Sequence, residues 1–343
     1  MIADRLRRLL DPRPLSSAEA RALFDRLVDD RTSDAERGEI LVALAARPSR
    51  TEELVAFARA MRRRARPFPV PARDRAIDLC GSGGARRPSY NVSTVSAFVV
   101  RAAGLPVAKH GNRSRGLCGS SDLLAALGLP VTSTPEFASA SYRRYGIAFL
   151  HAPLFHPATA AVATARRQLG IPTIFNRLGP LSNPAELRCQ VSGTVDVPAA
   201  IGTAAALRAL GVRRGITMTS DDGCDEFSPR APTSMVHWDG TRVRRLRLDP
   251  QRFLPPEDRR GSWGALPPPA AAEQAERLLA GSGGARRGAV LLTSGAALWV
   301  AGRSRDLGSG VVAAERALDG GGAERILEQL RELAGRFPKP EEA

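Results

Sequence analysis

The sequence predicts an α/β protein with a mainly parallel sheet flanked by helices, plus a small all-helical domain. From residue 76 onward, short apolar runs alternate with helical segments, which is the pattern of a parallel sheet covered on both faces. The first 66 residues contain only helical patterns with capping signals. A proline-rich run at 67–72 separates the two patterns and is expected to be a linker.

The N-terminal segment, residues 1–66, is expected to form four short amphipathic helices. Ser16 and Ser33 each precede a glutamate by three residues, which is the capping-box signature of a helix start. Thr51 is expected to cap the helix that runs to Arg64. We expect this segment, with helical pieces from about 157–185, to form the small domain, and residues 73–340 to form the α/β domain.

The α/β domain is expected to contain five strands before a hairpin. The candidate strands are 76–80, 105–109, 147–151, 189–195 and 214–220. The candidate helices are 93–103, 120–127, 135–145, 157–169 and 198–210. Val236 to Leu248 is expected to form a β-hairpin around Asp239-Gly240, and the chain after Pro267-Pro268-Pro269 is expected to be mostly helical.

Composition limits the class of protein and its partners. The net charge of +15 suits either nucleic acid or a strongly anionic substrate, but it also follows from arginines spread over solvated helix faces. Aromatic residues make up only 5% of the chain, which argues against a stacking-type single-strand binder and leaves nucleic acid as the less favoured partner.

The four cysteines are far apart and only four histidines are present, so neither a disulfide framework nor a zinc site is expected. This usage fits a reducing cytoplasm. No run of 18 or more apolar residues and no N-terminal targeting pattern is seen, so we expect a soluble cytoplasmic protein without a membrane segment.

Asparagine and lysine are scarce, and their positions indicate the site. Only four asparagines occur, at 91, 112, 176 and 183, and nearly every one of the 50 basic residues is arginine. One of the two lysines, Lys109, lies close to Asn112. A residue type that persists in such a biased composition is a candidate for a chemical role.

A glycine-rich loop follows the first candidate strand directly, in the run Gly81-Ser82-Gly83-Gly84, and a helix is expected near Ser93. Glycine at a strand end lets backbone N–H groups approach an anion, and the helix N-terminus adds its dipole. The loop is neither a Walker A motif nor a dinucleotide fingerprint. A tight turn without a ligand is the alternative.

Two further runs follow strands and carry charged groups. Lys109-His110-Gly111-Asn112-Arg113 combines groups that suit a polyanion and a polar ring substrate. Asp225 and Glu226 end an acidic run that begins at Asp221, and carboxylates beside a phosphate site are what Mg²⁺ prefers. An ordinary Asp-Asp-Gly turn is the alternative for the acidic run.

Taken together, these runs resemble anthranilate phosphoribosyltransferases, which have the nucleoside-phosphorylase-like phosphoribosyltransferase fold. The resemblance is carried by Asn91-Val-Ser-Thr94, the run 109–113, Asp225-Glu226 and, most specifically, Thr173-Ile-Phe-Asn-Arg-Leu-Gly-Pro-Leu-Ser-Asn-Pro184. It implies Mg²⁺-dependent transfer of the phosphoribosyl group from phosphoribosyl pyrophosphate (PRPP) to anthranilate, giving N-(5'-phosphoribosyl)anthranilate and pyrophosphate in tryptophan biosynthesis. It also implies a homodimer.

The resemblance further implies roles for single residues. PRPP would be bound by Gly81, Ser82, Gly83, Gly84, Ser89, Asn91, Ser93, Thr94 and Lys109. Mg²⁺ would be held by Ser93, Asp225 and Glu226, and catalysis would rest on Lys109, Asp225 and Glu226. Anthranilate would be oriented by His110, Asn112 and Arg167, with His156 lining the mouth of its site.

The sequence departs from the family pattern in the glycine loop. The family has Gly-Thr-Gly-Gly-Asp-Gly where this chain has Gly81-Ser82-Gly83-Gly84-Ala85-Arg86, so an acid and a glycine are lost. The segment 114–119 also has fewer hydroxyl groups and is one residue shorter. Two alternatives follow: a non-catalytic nucleic-acid-binding relative, or an enzyme of the same fold with another acceptor, such as a nucleoside phosphorylase.

Overall fold

A computed structural model describes residues 8, 11, 13–47, 49–82, 87, 89–114 and 117–337. The N-terminal part contains three helices within these residues: α1 (Ser17–Leu27), α2 (Asp34–Ala45) and α3 (Thr51–Arg63). Most of the segment where a fourth helix is predicted, before α1, lies outside the described residues.

The caps at the starts of these helices confirm two of the three expectations. Ser16 forms a full capping box with Glu19, and the Ser33 hydroxyl accepts a hydrogen bond from the Glu36 N–H. The assignment of Thr51 as a cap is wrong. Arg50 occupies the cap position, because the buried Glu53 carboxylate accepts from the Arg50 N–H at 3.1 Å and makes Thr51 the first helical residue.

The α/β part is built on one seven-stranded sheet, which confirms the predicted fold class. Its strands are β1 (Ile77–Cys80), β2 (Val107–Gly111), β3 (Ile147–His151), β4 (Cys189–Gly193), β5 (Arg214–Ser220), β6 (Thr233–Trp238) and β7 (Val243–Leu248). Their order is β3-β2-β1-β4-β5-β6-β7. The first five strands are parallel, and the β6–β7 hairpin adds two antiparallel strands.

Helices cover both faces of this sheet. In chain order they are α4 (Val92–Ala102), α5 (Ser120–Ala126), α6 (Pro135–Tyr145), α7 (Ala152–Phe155), α8 (Ala163–Leu169), α9 (Ile174–Leu178), α10 (Val197–Ala209), α11 (Pro268–Leu279), α12 (Ala285–Val300), α13 (Leu307–Asp319) and α14 (Gly322–Ala334). The larger core lies where α4, α12 and the C-terminal helices meet the sheet, whereas α1 to α3 share a second core with α10.

Several predicted bounds differ from the structure for local reasons. The predicted helix 157–169 is a 3₁₀ segment over 157–162 followed by α8. Strand β2 begins at Val107 rather than 105, since Pro106 has no N–H to donate to a ladder. Strand β4 ends at Gly193 rather than 195, because Thr194 bonds through its N–H to Met218 O and the chain then turns into α10.

Among the described residues, no helix is both long enough and apolar enough to cross a membrane.

Candidate active site

A pair of buried carboxylates, Asp225 and Glu226, lies beyond the end of β5 and faces the end of β1. Asp225 Oδ2 accepts hydrogen bonds from the Ser82 N–H at 2.8 Å and from the Ser82 hydroxyl at 2.5 Å. Glu226 Oε1 accepts from the Ser93 N–H, in the first turn of α4, at 3.4 Å. The acid pair, the start of the glycine loop and the N-terminus of α4 therefore meet at one edge of the sheet, where ligands bind in α/β proteins.

The turn that carries these carboxylates is held by hydrogen bonds and close packing. The Ser220 hydroxyl donates to Glu226 O at 2.6 Å, and the Ser220 N–H donates to Cys224 O at 3.0 Å. A side-chain carbon added at Gly193 would lie 1.8 Å from Asp225 O, so β4 approaches the turn as closely as glycine allows. The position of Asp225 thus depends on the ends of both neighbouring strands.

The electrostatics of the pair favour a bound cation. Burial and the adjacent Asp225 carboxylate raise the pKa of Glu226 to about 8, because two negative charges are held together away from water. Within the described part of the chain, no three His, Cys, Asp or Glu side chains cluster as a complete metal site. Two carboxylates completed by waters and substrate oxygens are the arrangement that suits Mg²⁺.

Lys109 and Asp78 form the floor of the site behind the glycine loop. The Lys109 side chain is buried, and its ammonium donates to Leu79 O at 2.6 Å. Asp78 is fully buried in β1, and its Oδ1 accepts from the His110 N–H at 3.1 Å. Burial raises the pKa of the Asp78 carboxyl to about 6, and the positive charge of Lys109 opposes this rise. Asp78 is not among the residues predicted from the sequence, although a lone acid inside an apolar strand is a usable signal.

Two buried histidines lie side by side on the other side of β2. The ring centroids of His110 and His156 are 5.1 Å apart, and His110 Nδ1 lies 3.2 Å from Gly179 O. A carbonyl only accepts, so Nδ1 carries the proton and Nε2 of the neutral ring is an acceptor. Burial lowers the pKa of His110 to about 3 and that of His156 to about 4, so both rings are neutral at pH 7. Among the described residues, nothing hydrogen-bonds to His110 Nε2.

The remaining predicted residues on the PRPP side lie near the N-terminus of α4. The Asn91 amide donates to Cys118 O at 3.1 Å, which joins it to the loop before α5. Thr94 is buried and donates its N–H to Asn91 O at 3.0 Å. Ser89 forms an isolated bridge with Gly264. The predicted residues Gly83 and Gly84, with the atypical Ala85 and Arg86, lie outside the described residues.

Two predicted acceptor-side residues are exposed. The side-chain oxygen of Asn112 accepts a hydrogen bond from the Arg113 N–H at 2.8 Å. The main-chain carbonyl of Asn112 accepts one from the Ser121 N–H at 3.3 Å. Arg167 lies on α8 and donates to Thr164 Oγ1 at 3.3 Å within that helix. In the described structure, no hydrogen bond joins Arg167 to the other predicted site residues.

Comparison with known proteins gives a consistent result along the whole chain. Residues 73–324 match the model of the glycosyl transferase family a/b domain, and residues 3–65 match that family's helical bundle domain. Anthranilate phosphoribosyltransferase of Syntrophobacter fumaroxidans is 41% identical over 96% of this chain and 98% of its own length. Anthranilate phosphoribosyltransferase of Desulfosudis oleivorans is 39% identical over 97% of this chain and 98% of its own length.

Two solved structures have the same fold as this chain. The crystal structure of anthranilate phosphoribosyltransferase from Thermus thermophilus superposes with a TM-score of 0.85 at 34% identity, covering 96% of this chain and 99% of that one. The Saccharomyces cerevisiae enzyme in complex with PRPP and Mg gives the same TM-score at 23% identity, covering 98% of each chain, and supports the fold.

Proposed function

We infer the roles of the site residues from one premise: this chain belongs to the anthranilate phosphoribosyltransferase family. It is a pentosyltransferase of tryptophan biosynthesis that transfers the phosphoribosyl group of PRPP to anthranilate. The structural observation that carries the residue roles is the buried pair Asp225 and Glu226, which faces Ser82 and the N-terminus of α4. A non-catalytic nucleic-acid-binding role leaves that buried charge pair without a purpose.

We propose that Ser93, Asp225 and Glu226 hold Mg²⁺ on the PRPP side. The raised pKa of Glu226 supports this, since burial and the adjacent Asp225 carboxylate outweigh the opposing charge of Lys109 and leave negative charge that a divalent cation would neutralise. When bound, Mg²⁺ neutralises the charge that develops on the departing pyrophosphate. Gly81 is proposed to bind the same leaving group through its backbone, and Ser82 to support the site by donating its N–H and hydroxyl to Asp225. Asn91 and Thr94 border the α4 N-terminus.

Lys109 is proposed to act on the leaving group as well. Its ammonium has three N–H bonds, and the one to Leu79 O leaves two for phosphate oxygens. As the bond from C1 of the ribosyl unit to pyrophosphate lengthens, the ribose becomes oxocarbenium-like. The aryl amine of anthranilate attacks C1 as the C1–O bond breaks, and the proton that the nitrogen loses goes to the departing pyrophosphate or to water. Catalysis then consists of charge stabilisation and positioning, without a strong general base.

On the acceptor side, the tautomer of His110 supports a direct role. His110 Nε2 is buried and carries a lone pair without a partner among the described residues, and we propose that it accepts a hydrogen bond from the amine of anthranilate once the side chains around it move to admit the substrate. The Asn112 amide is proposed to contact the same amine, and His156 to line the mouth of the site. Exposed Arg167 is proposed to pair with the carboxylate, for which the guanidinium fork is suited.

We also propose that the protein is a cytoplasmic homodimer. All four cysteines are free thiols, as expected in a reducing compartment.

The proposed dimer surface is a cleft of about 590 Å³ between α2 and α8. It is lined by Gly38, Val42, Ala46 and Leu169, and Val42 is 43% exposed. Sedimentation tests the dimer: Val42→Glu should give monomers, and an unchanged mass would argue against this surface.

The activity is tested by loss of anthranilate fluorescence in the presence of PRPP and Mg²⁺. Absence of turnover would contradict the transfer reaction.

Arg167→Ala should raise the KM for anthranilate far more than that for PRPP, and an equal rise in both would refute its role. Arg166→Ala is the matched control, because Arg166 lies 5.3 Å over the Phe175 ring and its loss should lower stability instead.

A further inference from the structure

Three consecutive carbonyl groups in the 3₁₀ turn Gly179–Leu181 are each bound by a side chain from a different part of the fold. His110 Nδ1 lies 3.2 Å from Gly179 O, Gln190 Nε2 donates to Pro180 O at 2.7 Å, and Arg62 Nε donates to Leu181 O at 2.8 Å. His110 and Gln190 belong to β2 and β4 of the sheet, whereas Arg62 belongs to α3. The turn therefore joins the helical domain to the sheet beside the acceptor site.

Arg62 holds this place at an energetic cost. The Arg62 side chain is half-buried, and this burial lowers the pKa of its guanidinium. Its other hydrogen bond in the described structure goes to a second main-chain carbonyl, Leu210 O, at 3.5 Å. A half-buried arginine that donates to main-chain carbonyls fixes the position of the backbone.

The charge of Arg62 also acts on the acceptor side. It contributes to lowering the pKa of His156, whose ring lies against that of His110. Arg62 is thus connected to the histidine pair in two ways: through the backbone turn and through its electric field.

We propose that Arg62 is a positioning residue for the acceptor substrate. By holding Leu181 O, it fixes the turn whose Gly179 carbonyl keeps the proton of His110 on Nδ1 and leaves Nε2 as an acceptor. This inference rests on the proposed role of His110 toward anthranilate. Without Arg62, Leu181 O loses its partner and the turn can move, so His110 loses the constraint on its tautomer.

Three variants of α3 separate this role from general stability. Arg62→Met keeps the aliphatic length but removes the donors. Arg59→Met, one turn earlier, removes a bond of 3.2 Å to Ala209 O that does not involve the turn. Arg62→Met should raise the KM for anthranilate roughly tenfold, as loss of one charged hydrogen bond implies, and change the KM for PRPP by less than about twofold. Arg59→Met should change neither, and Arg62→Lys should restore part of the effect.

A second measurement needs no turnover. Imidazole ¹⁵N shifts of the ligand-free protein, assigned with His110→Gln, should show the Nδ1–H tautomer in the wild type and a mixture of tautomers in Arg62→Met. Arg62→Lys, which keeps one donor group, should show a smaller share of the second tautomer and serves as the test if Arg62→Met does not fold. An unchanged tautomer, equal rises in both KM values, or the same effect from Arg59→Met would each overturn the inference. A wild-type protein without anthranilate turnover would instead contradict the proposed function.

Discussion

Asp225 and Ser82 are 143 residues apart in the sequence, and one carboxylate oxygen, Asp225 Oδ2, accepts hydrogen bonds from both the N–H and the hydroxyl of Ser82. This contact ties the turn after β5 to the start of the glycine loop. The serine hydroxyl stands where the family has threonine, so the contact survives in a loop whose later residues have changed. The acid pair and the loop should therefore respond to mutation as one unit.

Ser82→Ala should raise the KM for PRPP by about five- to tenfold, since it removes the hydroxyl donor and leaves the N–H donor in place. Steady-state kinetics with PRPP varied at fixed Mg²⁺ measure this effect. Ser82→Thr keeps the hydroxyl and is the matched control. If Ser82→Thr were as impaired as Ser82→Ala, the hydroxyl would not be the group that matters.

Gly193→Ala should displace the turn that carries Asp225, because the new methyl group would lie 1.8 Å from Asp225 O. We expect a loss of about 1–3 kcal/mol in the free energy of unfolding and a fall in kcat of at least tenfold. Urea unfolding and initial rates measure the two effects.

Gly202→Ala serves as the control for Gly193→Ala. Gly202 lies inside α10, and a side-chain carbon added there would lie 3.9 Å from the Arg177 guanidinium, an ordinary contact distance. Alanine at this position should stabilise the helix by about 0.5–1 kcal/mol without changing kcat. Normal activity of Gly193→Ala would show that the turn accommodates the methyl group.

Sequence patterns predicted elements well where local signals mark both ends. Helix α6 has the predicted bounds, because Thr134 caps its start, Pro135 is its first residue and Gly146 ends it in a left-handed conformation. Strands β3 and β5 also have the predicted bounds. The segment 157–162 was missed because helical periodicity does not distinguish a 3₁₀ run from an α-helix.

The site was predictable only in part. Scarce residue types and strand-end position indicated Lys109 and the acid pair, which the fold brings to one edge of the sheet. The burial of Asp78, the tautomer of His110 and the turn held by Arg62 depend on contacts between distant segments. Local patterns cannot indicate such contacts. The carboxylate contact assigned to Arg167 stays a prediction.

Asp78→Asn should change how stability depends on pH. Burial raises the pKa of Asp78 from its ordinary value of 3.8 to about 6, so between these values the folded state binds more protons than the unfolded state. The free energy of unfolding of the wild type, relative to Asp78→Asn, should therefore fall as pH rises from about 4 to 6, by at most about 1.4 kcal/mol per unit, and stay level above. Urea unfolding of both proteins measures this difference, and a difference independent of pH would contradict it.

His151 should show the opposite pH dependence of stability, and its hydrogen-bond partner Ser121 provides the control variant. His151 Nδ1 lies 2.8 Å from the Ser121 hydroxyl, and both side chains are buried where the loop containing Asn112 meets the end of β3. Burial lowers the pKa of His151 from 6.5 to about 4, so between these values the unfolded state binds more protons. The contribution of neutral His151 to the free energy of unfolding is complete above pH 6.5 and is lost as the pH falls toward 4.

His151→Phe should therefore reduce the acid-side slope of stability by up to about 1.4 kcal/mol per pH unit, leaving the slopes due to His110 and His156. Ser121→Ala keeps the titrating ring, so it should keep this slope. It also keeps the main-chain N–H that donates to Asn112 O at 3.3 Å, so the KM for anthranilate should stay close to the wild-type value. Unfolding curves from pH 4 to 7 and anthranilate kinetics test the pair, and an unchanged slope in His151→Phe would show that this ring is not kept neutral by the fold.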